Sequence, residues 1–345
     1  MPSEAQLARR FHVSRPTIAR ALRDLEDDQL IERRIGAGTF VRSTKSGSIL
    51  LGSRQFGLIV PGLATTEIFE SICGELASLA RGQEYSLLWA HEVCGRKGAD
   101  LTVDETRACC DQFIASRVRG VFFAPFEHIA RSSEINRQLA AHLHRAGIAV
   151  ILLDRDVEHL PARSAFDLVG IDNFAAGYLA ADHLIKLGAR RVVFVARPNS
   201  APTVMRRIAG TREALLEHAL PAHEGFVRFG DPRERSFIEE FERSQADAVI
   251  GANDETAAML IRALLQRGVR VPQDLRVVGF DDVRVATQIS VPLTTVQQPT
   301  RDIASTAFHA MLERIGHPSM PPRILVVSPR LQVRESCGAY AVGSR

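Results

Sequence analysis

From Phe56 onward, short apolar runs recur along the chain, each followed by a longer amphipathic stretch. The runs are 56–61 (FGLIVP), 85–90 (YSLLWA), 119–124 (RGVFFA), 148–153 (IAVILL), 168–171 (LVGI), 191–196 (RVVFVA), 247–251 (DAVIG) and 275–280 (LRVVGF). Helical spacing of apolar residues marks 69–81, 131–145, 174–187, 204–219 and 254–267. Short, nearly continuous apolar runs read as strands buried on both faces. Their alternation with helices predicts parallel sheets covered on both sides. Some eight βα units exceed one comfortable open sheet, so the pattern predicts an α/β domain of two lobes. Trp89, the only tryptophan, lies inside one of the runs and is expected in the core.

The first 42 residues have a different texture. Ser3 and Gln6 form a capping-box pattern ahead of Leu7, Ala8 and Phe11. Ser14 is a good N-cap, and Pro16 falls in the first turn that follows, where its missing N–H does little harm. Ile18, Ala21, Leu22 and Leu25 then recur at helical spacing, while Arg15, Thr17, Arg20 and Arg23 occupy the other face. Leu30–Arg34 and Thr39–Arg42 read as two short strands, with Gly36, Ala37 and Gly38 at the tip between them. A helix that reads DNA needs polar residues at its N-terminus and an apolar back. Ser14, Arg15, Thr17 and Arg20 have that placement, and Gly36 and Gly38 let a hairpin backbone approach phosphate. An amphipathic helical hairpin used for protein packing gives the same helical pattern.

Charge separates the two regions. Residues 1–45 hold nine Lys/Arg against six Asp/Glu, an excess equal to the formal +3 of the whole chain, so the remainder is balanced. A small basic segment on a neutral body points to a polyanion partner. No apolar run reaches the ~18 residues that span a bilayer, and the start lacks the basic-then-apolar pattern of a signal peptide. Five cysteines, with no CxxC pair, argue against a disulfide framework or zinc knuckle and fit a reducing, cytoplasmic setting.

Residues 2–42 resemble the winged helix-turn-helix of GntR-type regulators through PSE, LA, VSRPT, ALRDLE, LIERR and GAGTFV, in order and without gaps. In that comparison the family carries a further helix before this point, whereas the chain as given starts inside the motif. Ala5 and Ala19 stand where arginines are frequent. Residues 56–334 resemble the effector domain of LacI/GalR-type regulators, which is similar to periplasmic sugar-binding proteins. The segments that carry this are GLIVP, VILLDRD, VGIDNFAAGYLAADHLIKLGARRVVFVA, MRRIAGTREAL, AVIGANDETAAMLIRALLQRGVRVPQDLRVVGFDD and PLTTVQQP. The combination resembles arabinose-responsive repressors. The expected organisation is a partial reader over 1–42, a linker over 43–55 and a sensor domain over 56–338. Within the sensor, lobe 1 is expected at about 56–157 and 297–322, and lobe 2 at about 158–296 and 323–338.

A sugar presents hydroxyls that both donate and accept, so its binder needs carboxylates, planar guanidinium forks and amides. In a doubly wound lobe these belong at the carboxyl ends of strands. Asp154, Asn253, Asp254, Asp281 and Asp282 follow expected strands, and Arg207 begins a helix after one. The same residue types also serve as helix N-caps. The resemblance places the family's ligand contacts on Asp154, Arg207, Asn253, Asp281 and Gln298, with Phe69 as a ring-stacking wall. Ala175, Ala176 and Gly177 are small enough for close helix packing.

Enzyme signatures are missing: there is no GxxxxGK[ST], GxSxG, HExxH or strand-borne GxGxxG. The eleven histidines show no metal spacing, and no cofactor is expected. The reading is therefore a non-enzymatic, dimeric transcription regulator that binds operator DNA as a repressor and responds to a small sugar-like effector. The alternative is a sugar-binding protein without DNA-binding activity, because the reader is truncated.

Overall fold

The computed structural model describes residues 4–11, 13–27, 31–34, 38–41, 54–62, 67–93 and 100–340. The chain divides into two units, residues 1–54 and 55–345.

In the first unit, helices Glu4–Phe11 and Arg15–Asp27 pack through Leu7, Ile18 and Leu22. Phe11 and Val13 are exposed. Strands β1 (Ile31–Arg34) and β2 (Gly38–Val41) form an antiparallel hairpin, with Ile31 opposite Val41 and Arg34 opposite Gly38.

The second unit contains two six-stranded sheets. Its strands are β3 (Gln55–Ile59), β4 (Ser86–Trp89), β5 (Gly120–Phe123), β6 (Ala149–Leu153), β7 (Asp167–Ile171), β8 (Val192–Ala196), β9 (Val227–Phe229), β10 (Ala248–Gly251), β11 (Arg276–Asp281), β12 (Thr294–Gln297), β13 (Ile324–Val327) and β14 (Arg330–Gln332). The first sheet has the order β13-β7-β6-β5-β3-β4 and the second β14-β12-β11-β10-β8-β9. All pairings are parallel except β12 with β14. The parallel pairing follows from the apolar runs: β5 and β10 are buried along their whole length, and helices supply the cover on both faces. Phe56, Phe122 and Phe308 pack edge to face in the core of the first lobe, and Trp89 sits partly buried against it.

The chain crosses between the sheets three times: after β7 at Asp172, after β12 at Gln298–Pro299, and between β13 and β14 at Ser328–Pro329. This corrects the expected lobe limits. Segments 158–171 and 323–327, assigned from sequence to the second lobe, complete the first sheet instead. The reason is local. Asp167 opens β7 and is buried; it accepts hydrogen bonds from Arg314 Nη2 at 2.9 Å and from the backbone N–H of Arg323, just before β13, at 2.7 Å. Burial alone would raise its carboxyl, but these two arginines hold it below the ordinary range. One carboxylate thus staples β7, β13 and helix Thr300–Gly316 into the first lobe.

In the second lobe, helices Asn173–Lys186 and Pro202–Glu217 approach closely at two glycines. A Cβ built on Gly177 would lie 1.9 Å from the carbonyl oxygen of Arg207, and one on Gly210 would lie 1.9 Å from that of Phe174. Cys73, Cys110 and Cys337 are buried free thiols, whereas Cys109 is disulfide-bonded, a departure from a fully reduced set. Among the described residues no helix is long and apolar enough to cross a membrane.

Candidate functional site

A cavity of about 460 Å³ lies between the two lobes, at the carboxyl ends of their parallel strands. From the first lobe, Phe69, Glu127 and Arg155 line it, and from the second Arg197, Asn253, Glu255 and Asp281. Strand ends gather such groups because the flanking loops diverge there and leave a crevice.

Three of the residues expected from sequence line this cavity: Phe69, Asn253 and Asp281. Asn253 does both of the things its position allowed. Its side chain accepts from Thr256 N at 2.8 Å as the N-cap of helix Asp254–Leu265, and the residue also forms part of the wall. Phe69 is buried, with the Arg155 guanidinium 5.4 Å from its ring centre.

The other three occupy different positions from those expected. Arg207 and Gln298 stand behind Asp281 rather than in the cavity wall. Gln298 Nε2 donates to Asp281 Oδ1 at 2.8 Å, and Arg207 Nη2 is 3.7 Å from the same oxygen. Arg207 also donates to Asn173 Oδ1 at 2.8 Å and to the Ala252 carbonyl at 2.6 Å, and lies over the Phe280 ring at 4.6 Å. It is a buried scaffold for Asp281. Asp154 borders a second, smaller cavity of about 70 Å³ together with Asn173 and Arg206. A backbone φ of 68° at Asp154 turns the chain, and Arg155, not Asp154, joins the main wall.

Sequence reasoning missed Glu127, Arg155, Arg197 and Glu255. The same strand-end rule would have found them, since each follows β5, β6, β8 or β10 by one to four residues. Asp281 and Asp282 also have left-handed φ values, 111° and 58°. Glycine fits such a turn at less cost. Carboxylates held there indicate that the side chains are needed.

The electrostatics are tightly coupled. Burial pushes Glu127 up, but the Arg155 guanidinium and His128 beside it hold its carboxyl below the ordinary range. Burial lowers Arg155, yet Glu127 and Asp154 more than restore it. Asp281 goes the other way. Burial, helped by Asp154 and Glu127, outweighs Arg207 and Gln298 and raises it to about 6. Asp254, behind it, is raised well above its ordinary value by burial and by Asp281.

A raised carboxyl in the folded state means that the folded protein holds a proton which the unfolded chain has released. Stability from this group is therefore complete below the ordinary Asp range and is lost as pH rises through about 6. The shift is worth on the order of 3 kcal/mol. Between pH 4 and 7, the ligand-free sensor domain is expected to lose stability through this group, and Asp281→Asn is expected to flatten that loss. Urea denaturation across the pH range measures it; parallel curves for the two proteins would contradict the assignment.

Among the described residues, polar contacts join the lobes at two places across the cleft. His128 N donates to the Asn199 carbonyl at 2.8 Å on one side. On the other, Arg284 N and Nε donate to Glu67 at 2.7 and 3.1 Å.

In the reader, Ser14 caps helix Arg15–Asp27. Its hydroxyl lies 2.7 Å from that of Thr17, and its carbonyl accepts from Ile18 N at 3.2 Å. Arg15, Thr17 and Arg20 are exposed; Arg20 lies on the face opposite Ile18 and Leu22, whereas Arg15, at the first turn, lies on their side of the helix. Gly38 sits at the hairpin end opposite Arg34, and Gly36 lies outside the described residues. Among the described residues no group of three or more His, Cys, Asp or Glu is placed to hold a metal ion.

Comparison with known proteins agrees with both parts. Residues 1–41 match the gntR family of bacterial regulatory proteins, and residues 181–337 match a periplasmic binding protein-like domain. The chain is 26% identical to the arabinose metabolism transcriptional repressor of Geobacillus stearothermophilus, over 97% of this chain and 91% of that protein. It is 36% identical to the HTH-type transcriptional regulator CelR of Thermobifida fusca over 173 residues, 49% of this chain and 51% of the relative. The solved structure of a transcriptional regulator CelR–cellobiose complex superposes with a TM-score of 0.70 at 22% identity, covering 97% of this chain and all of the other, a likeness of fold.

Proposed function

From a chain that joins a GntR-type winged helix-turn-helix to a periplasmic-binding-protein-like domain, the architecture of GntR/LacI-type regulators, we propose a one-component transcriptional repressor. Its DNA affinity is set by a small sugar-like molecule held between the lobes. The observation that carries this reading is the inter-lobe cavity, whose polar groups Glu127, Arg155, Asn253 and Asp281 come from the strand ends of both lobes. Such a set offers hydroxyls both donors and acceptors. Behind that wall, Asp154 and Gln298 pair with Arg155 and Asp281, and each keeps one buried acceptor, Oδ1 and Oε1, without a protein partner. Relatives named as repressors, and a similar regulator solved with cellobiose, support the assignment.

The protein works as a switch rather than a catalyst, and it acts in the cytoplasm, where its operator is. Two copies present two readers to two half-sites. A ligand that favours one arrangement of the lobes alters the operator affinity, and DNA alters ligand affinity by the same factor.

The test has two arms. Titration of the chain with a panel of neutral sugars, followed by thermal unfolding, is expected to give one family of sugars that raises the melting temperature. On DNA, Arg15→Ala is expected to cost about 1–3 kcal/mol at the operator if Arg15 reads a base, with little change on unrelated sequences. A uniform loss with a shallower salt dependence would assign Arg15 to phosphate instead. Unchanged operator affinity at fixed salt would remove it from the interface.

A further inference from the structure

The contacts at the two sides of the cleft are chemically unlike. On one side the partners are charged side chains. Glu67 opens helix Glu67–Gly82 and accepts from the backbone N–H of Arg284 at 2.7 Å and from its Nε at 3.1 Å. Arg284 Nη2 lies 3.6 Å from Glu70. The Arg284 side chain is 67% exposed and that of Glu67 35%, so water surrounds the pair and salt screens it. Opening this contact strands no charge. Glu67 and Glu70 lie in the first turn of their helix, whose free N–H groups and positive end stabilise carboxylates. Arg284 returns to solvent.

On the other side both bonds end on backbone carbonyls. His128 N donates to the Asn199 carbonyl at 2.8 Å, and His128 Nδ1 lies 3.1 Å from the Pro198 carbonyl oxygen. His128 and Asn199 occupy left-handed turns, with φ of 59° and 54°. Both loops are anchored within their own lobes. Glu127 is paired with Arg155, and Ser200 Oγ donates to the Arg197 carbonyl at 2.7 Å. Screening has little hold on bonds that end on uncharged carbonyls.

The turn that carries Arg284 is itself rigid. Val283 N donates to Asp254 Oδ2 at 3.1 Å, and Asp282 accepts from Gln297 Nε2 at 2.9 Å and from Arg334. Arg284 therefore moves only with its lobe. It stands three residues beyond Asp281, and Glu67 stands two before Phe69, so the charged contact links the segments that carry two residues of the cavity wall.

We propose that the cleft opens on one side only. Glu67 and Arg284 form an ionic clasp that releases, while the His128–Asn199 joint and the three chain crossings hold and define the axis of rotation. Ionic strength sets how often the clasp is open. Entry of an effector through that side rests on the cavity being its site; the one-sided opening does not, and its test contains no ligand.

Distances between spin labels in the full chain provide that test. One nitroxide pair replaces Gly74 and Gln288, across the clasp, and a second replaces Ala130 and Met205, across the joint. All four positions are exposed, and a Cβ at Gly74 meets nothing within 4 Å. Dilution with unlabelled chain confines the measured distances to one copy. Raising KCl to about 0.5 M, where the Debye length is about 4 Å, is expected to give the first pair a second population longer by about 5 Å or more. The second pair is expected to keep a single distance. Glu67→Ala, which removes both bonds to Arg284, is expected to show the long population at low salt, with no further response to KCl. The salt series uses the parent sequence at Glu67 and Arg284, so it decides the matter even if the variant folds poorly. Lengthening of both pairs together would mean that the lobes part about the crossings alone. Lengthening of neither, or of the second pair alone, would mean that the ion pair does not govern closure. Each of these results overturns the proposal, and none bears on whether a sugar binds.

Discussion

Arg207→Ala is expected to destabilise the sensor domain by about 3–5 kcal/mol at pH 7, the range for removing one partner of a buried charge pair. Arg207 is 4% exposed and is the guanidinium that holds Asp281 down against its burial. Without it, Asp281 faces Asp154 and Glu127 with Gln298 and the more distant charge of Arg155 to stabilise its own. The carboxyl would then rise further and take up a proton. At pH 5 it is already largely protonated in the parent protein, so the penalty should shrink toward the cost of the lost bonds to Asn173 and the Ala252 carbonyl. Urea denaturation at the two pH values separates these contributions. Equal losses at both would mean that Arg207 serves packing and hydrogen bonding alone. Loss of ligand affinity is expected as well, through displacement of Asp281 rather than loss of a direct contact.

Gly177→Ala is the second substitution with a large expected effect. The added Cβ would fall 1.9 Å from the Arg207 carbonyl oxygen and 2.8 Å from the Arg207 Cα, and both are backbone atoms that cannot swing aside. The helices must separate. Overpacking of this kind costs about 1–3 kcal/mol and occasionally more; the short distance to backbone places this site at the upper end. Because the displaced backbone carries Arg207, ligand affinity is expected to fall at least tenfold with it. Thermal unfolding and titration of one variant measure both effects. An unchanged melting temperature would contradict the close approach of these helices.

These two residues also show where the sequence was legible and where it was not. The runs 119–124 and 247–251 announced buried parallel strands, because a strand covered on both faces must be apolar throughout. Asn253 and Asp281 could be placed at the cleft by the same rule, since polar residues directly after such runs sit at the strand ends where the crevice opens. Arg207 could not be placed this way. Its side chain points behind Asp281 because helix Pro202–Glu217 is seated on Asn173–Lys186 through Gly177 and Gly210, a long-range packing fact that no local spacing records. The strand-end rule admits both Asp154 and Arg155, and the left-handed turn at Asp154, which is not written in the local pattern, decides which of the two joins the main wall. The lobe limits failed for a related reason. A loop that crosses between sheets and a loop that returns to the same sheet have similar composition, and only the pairing of β7 with β6 and β13 distinguishes them.

The last two strands have a consequence for how the protein is made. β13 is the edge of one sheet and β14 the edge of the other, and both are translated after more than three hundred preceding residues. On the ribosome, neither sheet can be completed until residues 324–332 emerge, and Asp167 waits nearly that long for the backbone N–H of Arg323. The two lobes are therefore completed by one and the same stretch rather than one after the other, and until it emerges each leaves an open sheet edge, the kind of surface that chaperones and aggregation compete for.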